Sequence, residues 1–213
     1  MLEAFLAYIL GGIFATWLVI QGGAYLTLLP VGWCLLLHGA WKLYITILHA
    51  NSHGIVLGAP FDYWLGEVIS ILTVTRDFRS YKQAHTKVHH TGQLLQSKDN
   101  TYNYLINIVG FRPDMSVEQL WQHLRKTLIS PKFHLRRLSS RFRACFFFPF
   151  PVHNALAFGI WGLIVGLFIY THSVWLGLLV WGLPLTVLFQ ISMLLRMCVE
   201  HRWPVPPVGN RRN

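Results

Sequence analysis

Two stretches without a single Asp, Glu, Lys or Arg constrain this chain more than any other feature. One fills the 38 positions between Glu3 and Lys42, the other the 52 positions between Arg143 and Arg196. A helix crosses the hydrocarbon of a bilayer with about 20 predominantly apolar residues, so each stretch is long enough for two passes. Charged residues make up 12% of the chain and hydrophobic ones 54%, whereas a soluble domain carries about 25% charged residues. This pattern excludes a disordered chain, a collagenous chain and an ordinary cytosolic globule. The 213 residues leave room for one membrane domain and no separate soluble module.

Ala4 to Ala40 is interrupted at Gln21-Gly22-Gly23 and near Pro30. Paired glycines and proline punctuate helices, which predicts a hairpin of two spans with a turn between residues 21 and 30. The second span continues past Lys42 to Leu48 and runs into His49. Gly54 to Thr75 carries Pro60, Asp62 and Glu67 and is too polar and broken for a span; it reads as an interfacial or re-entrant helix. Ala144 to Leu195, broken at Thr171-His172-Ser173, holds two more spans near residues 152–170 and 174–195. The expected fold is therefore an all-α integral membrane protein: four transmembrane helices in two hairpins, one domain over residues 1–213.

Net charge is +10, and Arg76 to Arg143 holds 13 of the 18 Lys and Arg residues against Asp77, Asp99, Asp114 and Glu118. No nucleic-acid motif accompanies that charge. It reads instead as a basic loop retained in the cytoplasm by the positive-inside rule, with both chain ends on the same side. Within it, Met115 to Thr127 has a helical mix with Ser116 as N-cap and Gln119 three residues on. Cys34, Cys145 and Cys198 are solitary and form no CxxC pair, so buried free thiols are expected rather than disulfides or thiolate zinc. Met1-Leu2-Glu3 has no basic n-region, so no removable signal peptide is expected.

The chemistry lies in the histidines. His49-Ala-Asn-Ser-His53 stands where the second span emerges, and His85-Thr-Lys-Val-His89-His90 opens the basic loop. Residues four apart share a helix face, so His49 with His53, and His85 with His89, can each offer two imidazoles to one ion. His90 points about 100° round and is placed to reach a second ion or brace the first. Neutral imidazole suits iron, copper, zinc and nickel, and neither thiolate nor a carboxylate-rich set competes here. Five histidines exceed what one tetrahedral zinc needs, so an all-histidine two-metal site is inferred. His38, His153 and His172 read as satisfied core or interfacial residues, and His123 and His134 as solvated loop residues.

In these motifs the sequence resembles the membrane fatty acid desaturase family. His49 to Gly54 (HANSHG) is similar to the family's first histidine box, and Tyr81 to His90 to the second, with three residues rather than two before the histidine pair. Gly110 to Pro113 and Leu128 to His134 resemble linker segments of bacterial members, and Arg196 to His201 resembles the stretch after the fourth span. The third box, HxxHH, has no counterpart, so the chain is expected to be C-terminally incomplete. The resemblance implies two iron ions held by His49, His53, His85, His89, His90 and His201. Asp99 reads either as a residue that orients one of these ligands or, at least as well, as a solvated loop acid. The resemblance also implies dioxygen-dependent desaturation of an acyl lipid in a bacterial inner membrane, the boxes facing the cytoplasm. Electrons would come from a carrier such as ferredoxin or cytochrome b5.

Three other readings share parts of this pattern. A lipid hydroxylase or carotenoid ketolase uses the same histidine logic. A membrane cytochrome would bind haem between two of His38, His49 and His172. A non-catalytic remnant would bind lipid or a partner.

Overall fold

The computed structural model describes residues 1–86, 100–112, 114–147 and 151–200, and every regular element among them is helical. Four helices there are long and apolar enough to cross a membrane: Leu2–Gln21, Gly23–Ser52, Pro151–Tyr170 and Val174–Val199. These are the expected spans, and they pair as the two expected hairpins.

The first hairpin begins with α1 (Leu2–Gln21). Gly22 and Gly23 then adopt positive φ of 67° and 53°, a backbone region open to glycine but costly for other residues. The chain reverses through a 3₁₀ turn, Gly23–Leu28, into α2 (Leu29–Trp41). The helix runs on through a π-helical stretch, Lys42–Ile47, into α3 (Leu48–Ser52). Small residues bring the two backbones into contact: a Cβ on Gly39 would lie 2.2 Å from the Tyr8 nitrogen, and one on Gly11 2.3 Å from that of Leu36. Lipid tails are as apolar as leucine, so close backbone packing rather than hydrophobic transfer holds such a pair together.

The two arms differ in length. At 1.5 Å per residue α1 is about 30 Å long, whereas Gly23–Ser52 spans about 45 Å. The Lys42 ammonium meets the Glu3 carboxylate at 2.7 Å, level with the first turn of α1. Everything after Lys42 therefore projects beyond the charge-free part of the hairpin.

The short helix α4 (Phe61–Leu72) follows, about 18 Å long and so only half a bilayer thick. Its form suits the expected interfacial or re-entrant element. Phe61 and Trp64 face outward, while Asp62, Glu67 and Ser70 are buried. Asp62 accepts the Leu57 and Gly58 amide hydrogens at 2.8 and 3.1 Å, bracing the approach loop. Glu67 pairs with His153 at 2.6 Å, both side chains almost fully enclosed. His153 is thus the core histidine expected of it, satisfied at Nδ1 by Glu67, while its buried Nε2 has no hydrogen-bond partner. Beyond α4 lie α5 (Phe78–Ala84), capped by Asp77, then α6 (Asn100–Asn103) with a π turn, Tyr104–Val109.

The basic segment is more ordered than a loop. Helix α7 (Val117–Leu128) carries the expected capping box, with Ser116 and Gln119 each bonding the other's backbone. Ser130 and Pro131 then start a second helix, α8 (Pro131–Phe146), in the positions that favour a helix N-terminus. Leu124 of α7 and Phe133 of α8 pack with Tyr104, Leu105, Phe111 and Leu194. His123 and His134, expected to be solvated, are instead half-buried locks. The His123 Nε2 hydrogen bonds the Val109 carbonyl and that of His134 bonds the Leu128 carbonyl, each at 2.7 Å. The last carbonyls of a helix lack intrahelical donors, and a ring N–H supplies one.

The second hairpin comprises α9 (Pro151–Tyr170), a turn at residues 171–173, and α10 (Val174–Gly177). Two π stretches, Leu178–Gly182 and Pro184–Leu188, lead into α11 (Phe189–Glu200). Helix α9 buries only His153 and Ala157 and presents Phe158, Leu163 and Leu167 outward, as expected of a helix bathed in lipid. Ala15, Val19 and Leu29 pack with Leu176 and Val180, so the turns of both hairpins lie at one end. Helices α3 to α5, α7 and α8 gather at the other. Of the thiols expected to be buried, Cys145 is, Cys198 is half-buried, and Cys34 is exposed. Cys34 falls on the face of α2 turned away from α1, and in an apolar span that face can be covered by lipid rather than protein.

Candidate metal centre

His49 and His53 stand on and just after α3, the part of the first hairpin that overshoots Lys42. The π-helical stretch Lys42–Ile47 lies immediately before them. Such a stretch adds a residue to the turn and rotates all that follows, which is why π bulges recur at functional sites. His85 comes from a separate segment, just past the end of α5. The three rings lie edge to face or tilted, with centroids 4.4 Å apart for His49 and His85, 5.1 Å for His49 and His53, and 5.4 Å for His53 and His85. One ring nitrogen from each falls within 4.8 Å of the others.

This arrangement suits one transition-metal ion. Metal–imidazole bonds of about 2.0–2.1 Å set ligand nitrogens roughly 3–4 Å apart, so rotamer adjustments of an ångström or less close the ring around an ion. The donors are all neutral-capable imidazoles, with no Cys, Asp or Glu among them, a set that favours first-row metals over calcium or magnesium. Among the described residues no other three His, Cys, Asp or Glu side chains come so close.

The supporting shell is aromatic. The His85 ring stacks on Tyr81 one turn earlier, with centroids 5.7 Å apart and planes within 7°. Tyr81 meets Tyr44 edge-on at 6.0 Å, and Tyr44 meets Phe189 at the same distance. Burial raises the Tyr81 phenol well above its ordinary range, so it stays protonated. Beneath the cluster, Ser52 Oγ donates to the His49 carbonyl at 2.6 Å, fixing the α3 backbone. Asn51 is completely buried, and neither of its amide atoms has a hydrogen-bond partner.

Three of the six expected ligands are thus brought together, from two segments that sequence spacing alone could not join. His89, His90, His201 and Asp99 lie outside the described residues. His38 is exposed beside Glu3, about 16 Å along the helix from His49. His172 lies in the turn at the far end of the bundle. No two of these three face one another, as a haem between them would require. Sequence reasoning missed Arg141, whose guanidinium donates to the Thr73, Val74 and Leu185 carbonyls. Its one signal was Arg137, four residues earlier and so on the same helix face. Comparison with family models, characterised proteins and solved structures finds no match.

Proposed function

We propose that the chain is a membrane-embedded, histidine-box oxidoreductase of the fatty acid desaturase type, introducing a double bond into an acyl chain. The observation that carries this reading is the convergence of His49, His53 and His85 on one point, on a helix that overshoots the hydrophobic part of a membrane hairpin. His89, His90 and His201 complete the proposed ligand set for two iron ions. Bound iron supplies the oxidising power for an unactivated C–H bond, with dioxygen as oxidant and two electrons from an outside donor.

The remaining work falls to the protein. The hairpins hold the imidazoles at the bilayer edge, where an acyl chain arrives without passing through water. Tyr81 fixes the His85 ring by stacking, and Ser52 fixes the backbone that carries His49. The thirteen Lys and Arg between Arg76 and Arg143 orient that end toward the cytoplasm. They also steer an acidic electron carrier such as ferredoxin or cytochrome b5 toward it.

Iron content and lipid profile test this together. Purified protein should carry iron, and His85→Ala should lose most of it while keeping its helical circular dichroism. In a host lacking desaturases, expression should add monounsaturated acyl chains. Unchanged iron in the His85→Ala protein would overturn the metal centre, and a hydroxylated product would move the reaction to the hydroxylases of the same histidine logic.

A further inference from the structure

A cavity of about 150 Å³ opens between α8, α11 and the π stretch of the second span, apart from the histidine cluster. Arg76, Arg137 and Arg141 line it, and among the described residues no carboxylate does. None of the three is in an ion pair among the described residues, where the acids found paired are Glu3, Glu67 and Asp114. Arg141 spends its donors on three backbone carbonyls. Arg137 does not: its Nε is buried without a hydrogen-bond partner, while its guanidinium lies 4.3 Å over the Tyr104 ring. Gln190, which lines the cavity from α11, is 3% exposed, and neither its amide oxygen nor its nitrogen is bonded.

Buried donors left unpaired beside cations that have no carboxylate partner among the described residues are destabilising in the empty protein. An oxyanion resolves both, because a guanidinium fork and a side-chain amide donate to carboxylate or phosphate oxygens. Phe189, Met193 and Met197 form the opposite wall, and methionine adapts to an alkyl chain of irregular path. Basic pockets between membrane helices at headgroup depth are where anionic lipid heads lodge.

The geometry points to a binding site for an acyl amphiphile here, its carboxylate or phosphate head on Arg137, Arg76 and Gln190 and its first methylenes against Phe189, Met193 and Met197. The site stands independently of the metal centre, although Tyr44 lines the cavity and touches Tyr81, the partner of His85.

Native mass spectrometry of the full chain in a neutral detergent tests this with palmitate, dioleoylphosphatidate, hexadecanol and inorganic phosphate. Palmitate or phosphatidate should bind saturably and hexadecanol should not; whichever acid binds tighter identifies the head as carboxylate or phosphate. Arg137→Gln should weaken that binding by about 30-fold or more, and exposed Arg136→Gln by no more than about threefold. Gln190→Leu should lower affinity yet raise the melting temperature of the empty protein, a pairing that a purely structural glutamine would not give. His85→Ala should bind as the parent does, which separates this site from the metal reading. Hexadecanol binding as tightly as palmitate, or equal losses at Arg136 and Arg137, would overturn the proposal. Inorganic phosphate displacing either acid at equal concentration would overturn its acyl part.

Discussion

Cys145 packs against Ile71, Phe146 and Ala157, and burial pushes its thiol up to about 12. The thiolate is the reactive form, and at pH 8 only about one Cys145 in ten thousand carries it, against roughly one in four at the free-thiol value. Iodoacetamide at pH 8 should therefore leave Cys145 unmodified in folded protein and alkylate it after denaturation, as read by peptide mass spectrometry. Alkylation at equal rates in both states would show that α8 does not seat on α4 and α9 as described. The histidines teach the same lesson about context. His49, His53 and His85 cluster, His123 and His134 close helix ends, and His153 pairs with Glu67. Spacing marked the two motifs from which the first group is drawn, and packing joined them; the other roles depend on which carbonyl or carboxylate the fold brings near.

At the scale of elements, the last turn of α4 gathers the molecule around it. Trp161 of α9 donates to the Ile71 carbonyl at 2.8 Å, Tyr8 of α1 to that of Leu72 at 2.9 Å, and Arg141 of α8 to those of Thr73 and Val74. Four successive carbonyls at a helix end are thus satisfied by three other helices, and the Arg141 charge complements the negative end of the helix dipole. Arg141→Met keeps the bulk and removes every donor, leaving buried carbonyls unpaired. It should cost about 3 kcal/mol or more, measured as a lowered unfolding midpoint in mixed detergent micelles. A loss below about 0.5 kcal/mol would mean that water replaces the guanidinium. The α1–α2 seam is less forgiving: Gly39→Leu places a side chain where the Tyr8 backbone lies, so this variant should fail to form the hairpin and be degraded on expression.

At the scale of the whole molecule, the bundle is polarised. Both hairpin turns stand at one end, and the histidine cluster, the arginine-lined cavity and the basic helices stand at the other. In a chain cleared of its own cysteines, Ser116→Cys and Thr171→Cys should react with a membrane-impermeant maleimide from opposite sides in intact cells and inverted vesicles. Labelling of both from one side would overturn the four-span topology.

Much of this organisation was written locally in the sequence. Burying a charge in lipid is expensive and spanning it takes a set length, so the charge-free stretches marked the spans. Gly22-Gly23 marked a reversal, Ser116 with Gln119 marked a helix start, and the two histidine motifs marked a candidate site. Tertiary structure alone decided that His85 meets His49 and His53, that Arg141 turns inward from a basic segment, and that Arg137 and Gln190 face one cavity. Those outcomes depend on how helices distant in sequence pack. Periodicity tells a residue which face of its own helix it occupies, and only packing determines what that face meets.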